Sequence, residues 1–82
     1  MDSAISNISI ADLKSGETGF LTELLIGRGE LSRCTSLGLT PGVLVTIVQN
    51  MGRGPLIVRV RGTQVALGRR QAMKLLVNRS TG

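Results

Sequence analysis

Eighty-two residues with a formal charge of +5 and a hydrophobic fraction of 41% predict a single domain, 1–82, small enough to bury only about 60–65% of the surface its unfolded chain exposes. Phe20 is the one aromatic residue, histidine is absent and there is one cysteine, which removes base-stacking platforms, the most common acid–base side chain and any internal disulfide. No apolar run approaches the ~20 residues that cross a bilayer, so the chain reads as cytoplasmic, with no direct membrane insertion.

Along the chain, Ser9 and Asp12 read as a capping-box variant that opens one helical turn through Leu13 and closes at Gly16. Thr18 to Ile26 is strand-like, and Gly27-Arg28-Gly29 ends it. Glu30 to Leu37 predicts a short helix, because Leu31, Cys34 and Leu37 fall at helical spacing and acidic Glu30 suits the first turn. Gly38 suits the left-handed position that stops a helix, and Pro41 and Gly42 suit the centre of a type II turn.

Val43 to Gln49 follows as a β-branched strand with Val45 and Ile47 on one face, and Met51 to Pro55, with Gly54 beside the proline, reads as a turn. Leu56, Val58 and Val60 then alternate with Ile57, Arg59 and Arg61. This period of two is the clearest in the chain and sets both arginines on the solvent side. Gly62-Thr63 reads as a hairpin turn into Gln64 to Leu67, with Val65 and Leu67 inward. Arg69 to Met73 suits a helical turn and Leu75 to Val77 a closing strand, which leaves residues 78–82 frayed. The expected fold is mainly β, a small SH3-like barrel of about five strands with short helical insertions and a core of Leu21, Val45, Ile47, Val58, Val60, Val65, Leu67 and Val77.

Several of these residues form an ordered set. It opens with L-x-x-G-x-x-G at Leu13, Gly16 and Gly19, then runs through R-C-x-x-L-G-L-x-P-G from Arg33 to Gly42. Gly54, Pro55 and Leu56 follow, then V-x-V-x-G at Val58, Val60 and Gly62, then V-A-L and an A-x-x-L-x-V ending at Ala72, Leu75 and Val77. From about Ile8 to Val77 the chain thus resembles the FeoA family of small ferrous iron transport A proteins. It departs from the family at Cys34, where a larger aliphatic residue is usual, and at Gly68, where a basic one is frequent. The resemblance implies an SH3-like barrel without catalytic activity, an accessory of ferrous iron uptake whose partner is the large membrane permease carrying a GTP-binding domain.

The residues themselves offer little chemistry. No histidine stands ready to activate a serine, and the five carboxylates are scattered. Ferrous iron favours imidazole and carboxylate ligands, and Glu17 and Glu23, six residues apart on a strand, would lie about 20 Å from each other. The reading therefore assigns no catalytic, cofactor or metal residue and no small-molecule substrate. Gly16-x-x-Gly19 and the two Gly-Arg-Gly triplets read as turn glycines rather than nucleic-acid loops. Arg33 beside Cys34 would favour a reactive thiolate, but its spacing from Leu31 and Leu37 makes Cys34 a core thiol.

Contact remains as the mode of action. The basic residues concentrate around the third strand and the last helical turn, which nominates Met51, Arg53, Ile57, Arg59 and Arg61 as a partner-binding patch, with Ile57 exposed. The helix Glu30 to Leu37 is a further candidate surface. Two alternatives stay open: a stand-alone regulatory module related to the SH3-like domain of iron-dependent repressors, and a basic nucleic-acid-binding domain, against which the lack of aromatic platforms argues.

Overall fold

The computed structural model describes residues 7–79. The elements run β1 (Asn7–Ser9), a 3-10 turn (Ile10–Asp12), β2 (Thr18–Leu24), α1 (Arg28–Ser36), β3 (Leu44–Gln49), β4 (Leu56–Val60), β5 (Thr63–Leu67), α2 (Arg69–Ala72) and β6 (Leu75–Arg79). The fold is mainly β. Its six strands, one more than expected, form a single antiparallel sheet in the order β1-β6-β2-β3-β4-β5. The sheet curls around one core without closing: β1 and β5 are its edges.

Every residue assigned to the core from alternation is buried, from Leu21 through Val45, Ile47, Val58, Val60, Val65 and Leu67 to Val77. Ile10, Leu13, Leu39, Leu56, Ala72 and Leu75 complete it together with Cys34. Most of these additions come from turns and short helices, where no period of two exists to reveal which way a side chain faces. Phe20, by contrast, points outward from β2 and is 48% exposed.

The stop between α1 and β3 follows its residue chemistry closely. Gly38 sits at φ +93°, Leu39 N–H donates to Cys34 O at 2.9 Å and Gly38 N–H to Thr35 O at 3.0 Å, the paired bonds of a Schellman cap. Gly42 at φ +94° and the bond from Val43 N–H to Thr40 O at 3.1 Å then close the turn over Pro41.

Five local expectations need correction. The helix begins at Arg28, with Gly27 as its N-cap, so the Gly-Arg-Gly triplet is inside the helix start rather than a loop before it. Only Cys34 of its apolar face is buried, while Leu31 and Leu37 are each 40% exposed, because the helix meets the barrel along a single narrow line. Ser9 Oγ donates to Asp12 Oδ2 at 3.2 Å instead of capping a backbone amide. The β4–β5 hairpin turns at Arg61-Gly62 (φ +52° and +80°), since Val60 pairs with Thr63; Thr63 is the first residue of the strand. Finally, Asn78 and Arg79, expected to fray, are held in β6: Asn78 pairs with Asn7 and Phe20, and Arg79 with Gly19. Residues 80–82 of that expected tail lie outside the described residues.

Candidate functional site

The outer face of β3, β4 and β5 is laid out by register. Arg59 lies between Thr46 on β3 and Gln64 on β5, and Ile57 between Gln49 and Ala66. Arg59 is exposed, whereas Ile57 is half-buried rather than exposed as expected, its flanks covered by the two neighbouring strands. Phe20 and Leu44, paired across β2 and β3, extend the face with exposed apolar surface, and Val48 adds more at the bulge between Ile47 and Gln49.

The other nominated residues sit around this face. Met51 is 72% exposed on the loop that joins β3 to β4, and Arg53 is exposed on the same loop. Gly54 in that loop has φ +74° and Pro55 leads into β4. Arg61 is separate. It occupies the first position of the two-residue turn, with φ +52°, the only positive φ at a non-glycine residue among those described. Its side chain passes Gly38 so closely that a Cβ there would meet Arg61 Cδ at 3.4 Å. The cation therefore lies at the C-terminal end of α1, where the helix dipole favours it.

A polar hub behind the loop escapes sequence reasoning. Asn50 Nδ2 donates to Ala11 O at 3.1 Å and to Leu13 O at 2.6 Å, while its Oδ1 accepts from Gly52 N–H at 3.0 Å and from Arg69 Nη2 at 2.7 Å. Arg69 Nε also donates to Gly54 O at 3.0 Å, and Asn50 N–H to Ser15 Oγ at 2.9 Å. One amide thus ties the 3-10 turn, the β3–β4 loop and α2 together. The Asn-x-Gly spacing signals the local Asx-turn, but Ala11, Leu13 and Arg69 come from distant parts of the chain. Arg69 is accordingly a structural cation, withdrawn from any docking surface.

Charge divides the molecule. All five carboxylates fall at or before Glu30, while eight of the ten basic side chains follow it. β3, β4, β5 and α2 consequently carry no acidic residue. Of the carboxylates, Glu17, whose C=O accepts from Ile47 N–H of β3 at 2.9 Å, approaches Arg79 at 3.8 Å, and Glu23 lies opposite Leu76.

Cys34 is fully buried, with Gln71 Nε2 donating to its Sγ at 3.5 Å. Burial pushes the thiol up and the Glu30 carboxylate adds to this, against smaller opposing effects of Gln71 and Arg33. The thiolate that Arg33 alone would favour is thus disfavoured. Among the described residues no three His, Cys, Asp or Glu side chains converge, and no helix is long and apolar enough to cross a membrane.

Comparison with known proteins agrees with this architecture. The sequence pattern of the FeoA domain matches residues 8–79. A Methanocaldococcus jannaschii protein provisionally named Fe(2+) transport protein A is 32% identical over 68 residues, 83% of this chain and 82% of that one. Among solved structures, an iron uptake regulatory protein (FeoA) superposes with a TM-score of 0.86 at 25% identity, covering 92% of this chain and all of the other. A FeoA of Stenotrophomonas maltophilia, solved with zinc and described as a prokaryotic SH3 domain protein, gives 0.72 at 24% identity over 87% and 89% of the two chains. A manganese-dependent transcriptional repressor gives 0.84 at 17% identity; the match covers 93% of this chain but 43% of the repressor, and it shows a shared SH3-like fold alone.

Proposed function

The chain belongs to the FeoA family, small proteins associated with ferrous iron transport, and from that premise we propose that it is a non-catalytic, single-domain accessory acting at the cytoplasmic side by contact with the membrane ferrous iron permease. Met51 and Arg53 on the β3–β4 loop, Ile57 and Arg59 on the sheet, and Arg61 at the hairpin tip form the contact. The observation that carries this reading is Arg59 standing on an outer face, between Thr46 and Gln64, whose three strands hold no carboxylate to neutralise it. Half-buried Ile57 precedes that cation by two residues on the same face, and exposed Leu44 and Met51 belong to the same meander, a mixture of apolar and arginine side chains of the kind in which contact energy concentrates.

The test is charge reversal at Arg59 and Arg61 together. Circular dichroism should report a native fold, while co-purification with the permease and ferrous iron uptake in cells both fall. A variant that folds and supports wild-type uptake overturns the patch and turns attention to the exposed Leu31 and Leu37 of α1. A second reading, a stand-alone regulatory module, is supported by the fold shared with the manganese-dependent repressor. It requires that deleting the protein alter transcription in cells that lack the permease.

A further inference from the structure

An open six-stranded sheet has two edges, and the two differ. β1 has three residues, β5 five. The β5 sequence Thr63-Gln64-Val65-Ala66-Leu67 contains no charged residue and no proline, the usual devices by which an edge refuses another strand. Its free backbone groups can be identified. A two-residue hairpin turn makes Val60 and Thr63 the pair that exchanges backbone hydrogen bonds, and antiparallel alternation then points the N–H and C=O of Gln64 and Ala66 away from β4. Among the described residues, neither forms a backbone hydrogen bond in a turn, loop or cap, and both side chains are exposed.

Three arginines flank this edge across the ladder or along the sequence. Arg59 is directly opposite Gln64 on β4, Arg61 lies two residues before the strand and Arg70 three residues after it, all exposed. No carboxylate follows Glu30 anywhere in the chain. A second copy is a poor occupant, because pairing β5 with β5 sets two acid-free surfaces, each on a molecule of charge +5, side by side.

We propose that β5 accepts an extended acidic segment of a partner protein as a seventh strand. The free N–H and C=O groups of Gln64 and Ala66 supply its backbone bonds, and carboxylates on its outward side face Arg59 and Arg70. Backbone pairing gives affinity that depends little on sequence, while the charges select acidic over basic segments. The proposal rests on the contact function above and specifies the chemistry of the partner.

The experiment titrates the full chain with a capped heptapeptide of alternating Glu and Val, followed by amide NMR and hydrogen exchange. Exchange of the Gln64 and Ala66 amides should slow on binding, added salt should weaken the complex, and Arg59→Glu should weaken it about tenfold. Ala66→Pro removes one free donor while leaving the ladder bonds of Val65 and Leu67, and should abolish binding. A peptide N-methylated at alternate residues deletes the same bonds from the other side and should likewise fail, whether or not Ala66→Pro folds. Equal binding of a Lys/Val peptide overturns the proposal. So do shifts on the outer face without slowed exchange at Gln64 and Ala66, or dimerisation through β5 without peptide. Loss of uptake on charge reversal with no peptide binding overturns the strand while keeping the contact function; peptide binding with normal uptake does the reverse.

Discussion

Val60 finds Thr63 across a two-residue turn, whereas Leu21 reaches Val77 only after α1, three strands and α2 have been laid down. β3, β4 and β5 form a meander whose side chains alternate with one bulge, and its outer face carries Arg59 and no carboxylate. β1, β6 and β2 join the two ends of the sequence, bulge between Leu21 and Glu23, and hold Glu17 against Arg79. The first half pairs residues close in the sequence and the second pairs residues far apart, so the second carries the larger loop-closure cost. The function proposed for this protein lies wholly on the local half, the side whose geometry depends least on the chain ends.

If the halves form one cooperative unit, a hole in either should unfold both. Leu56→Ala on β4 and Leu75→Ala on β6 each empty a fully buried site and should each cost about 2–5 kcal/mol. Urea unfolding should remain a single transition with unchanged slope. If Leu75→Ala instead leaves the β4–β5 amides protected while β2 and β6 exchange, the comparison becomes one between two separable units.

Glycine substitutions probe how each half is built. A Cβ at Gly19 would lie 3.0 Å from Val77 Cβ and from Asn78 O, so Gly19→Ala should cost about 1–3 kcal/mol through crowding at the β2–β6 seam. Gly42 has open space around it but φ +94°, so Gly42→Ala should cost about 1–2 kcal/mol from backbone conformation alone. Thermal melts of both variants measure the difference, and a neutral Gly19→Ala would show that the seam has slack.

Asn50 bridges the halves. Asn50→Ala strips partners from Ala11 O, Leu13 O, Gly52 N–H and Arg69 and should destabilise by about 1–3 kcal/mol, with Gly52 amide exchange accelerating more than that of β6. The smallest effect is expected at Arg61, where Arg61→Asn gives the turn its favoured Asn-Gly pair and should stabilise by about 1 kcal/mol at most. A destabilised Arg61→Asn would mean that the packing of Arg61 over Gly38 outweighs its backbone strain.

The same division explains what the sequence disclosed. Alternation located Val58, Val60, Val65 and Leu67 and placed Arg59 outward, because a hairpin makes side-chain direction a local property. It failed at β1 and at Asn78 and Arg79, polar residues that become strand only through each other and through β2. The stop from Leu37 to Gly42 was readable because Gly38 and Gly42 need positive φ and few residues supply it. Of the candidate site, residue types were legible but accessibility was not: Ile57 is half-covered by Gln49 and Ala66, and Arg69 is taken up by Asn50. Neither contact leaves a trace in spacing.

Because β1 and β6 are antiparallel neighbours, Asn7 stands opposite Asn78, one strand spacing away, about 5 Å. The backbone enters and leaves this architecture at one place, much as the two legs of a staple meet the page. A short linker can join those points and new ends can be opened elsewhere, in the loop between β2 and α1 for example, where Gly27 is exposed and added side-chain bulk meets nothing. The same geometry lets the unit be spliced into a longer polypeptide without threading the sheet, and in the manganese-dependent repressor a unit of this shape occupies 43% of the chain.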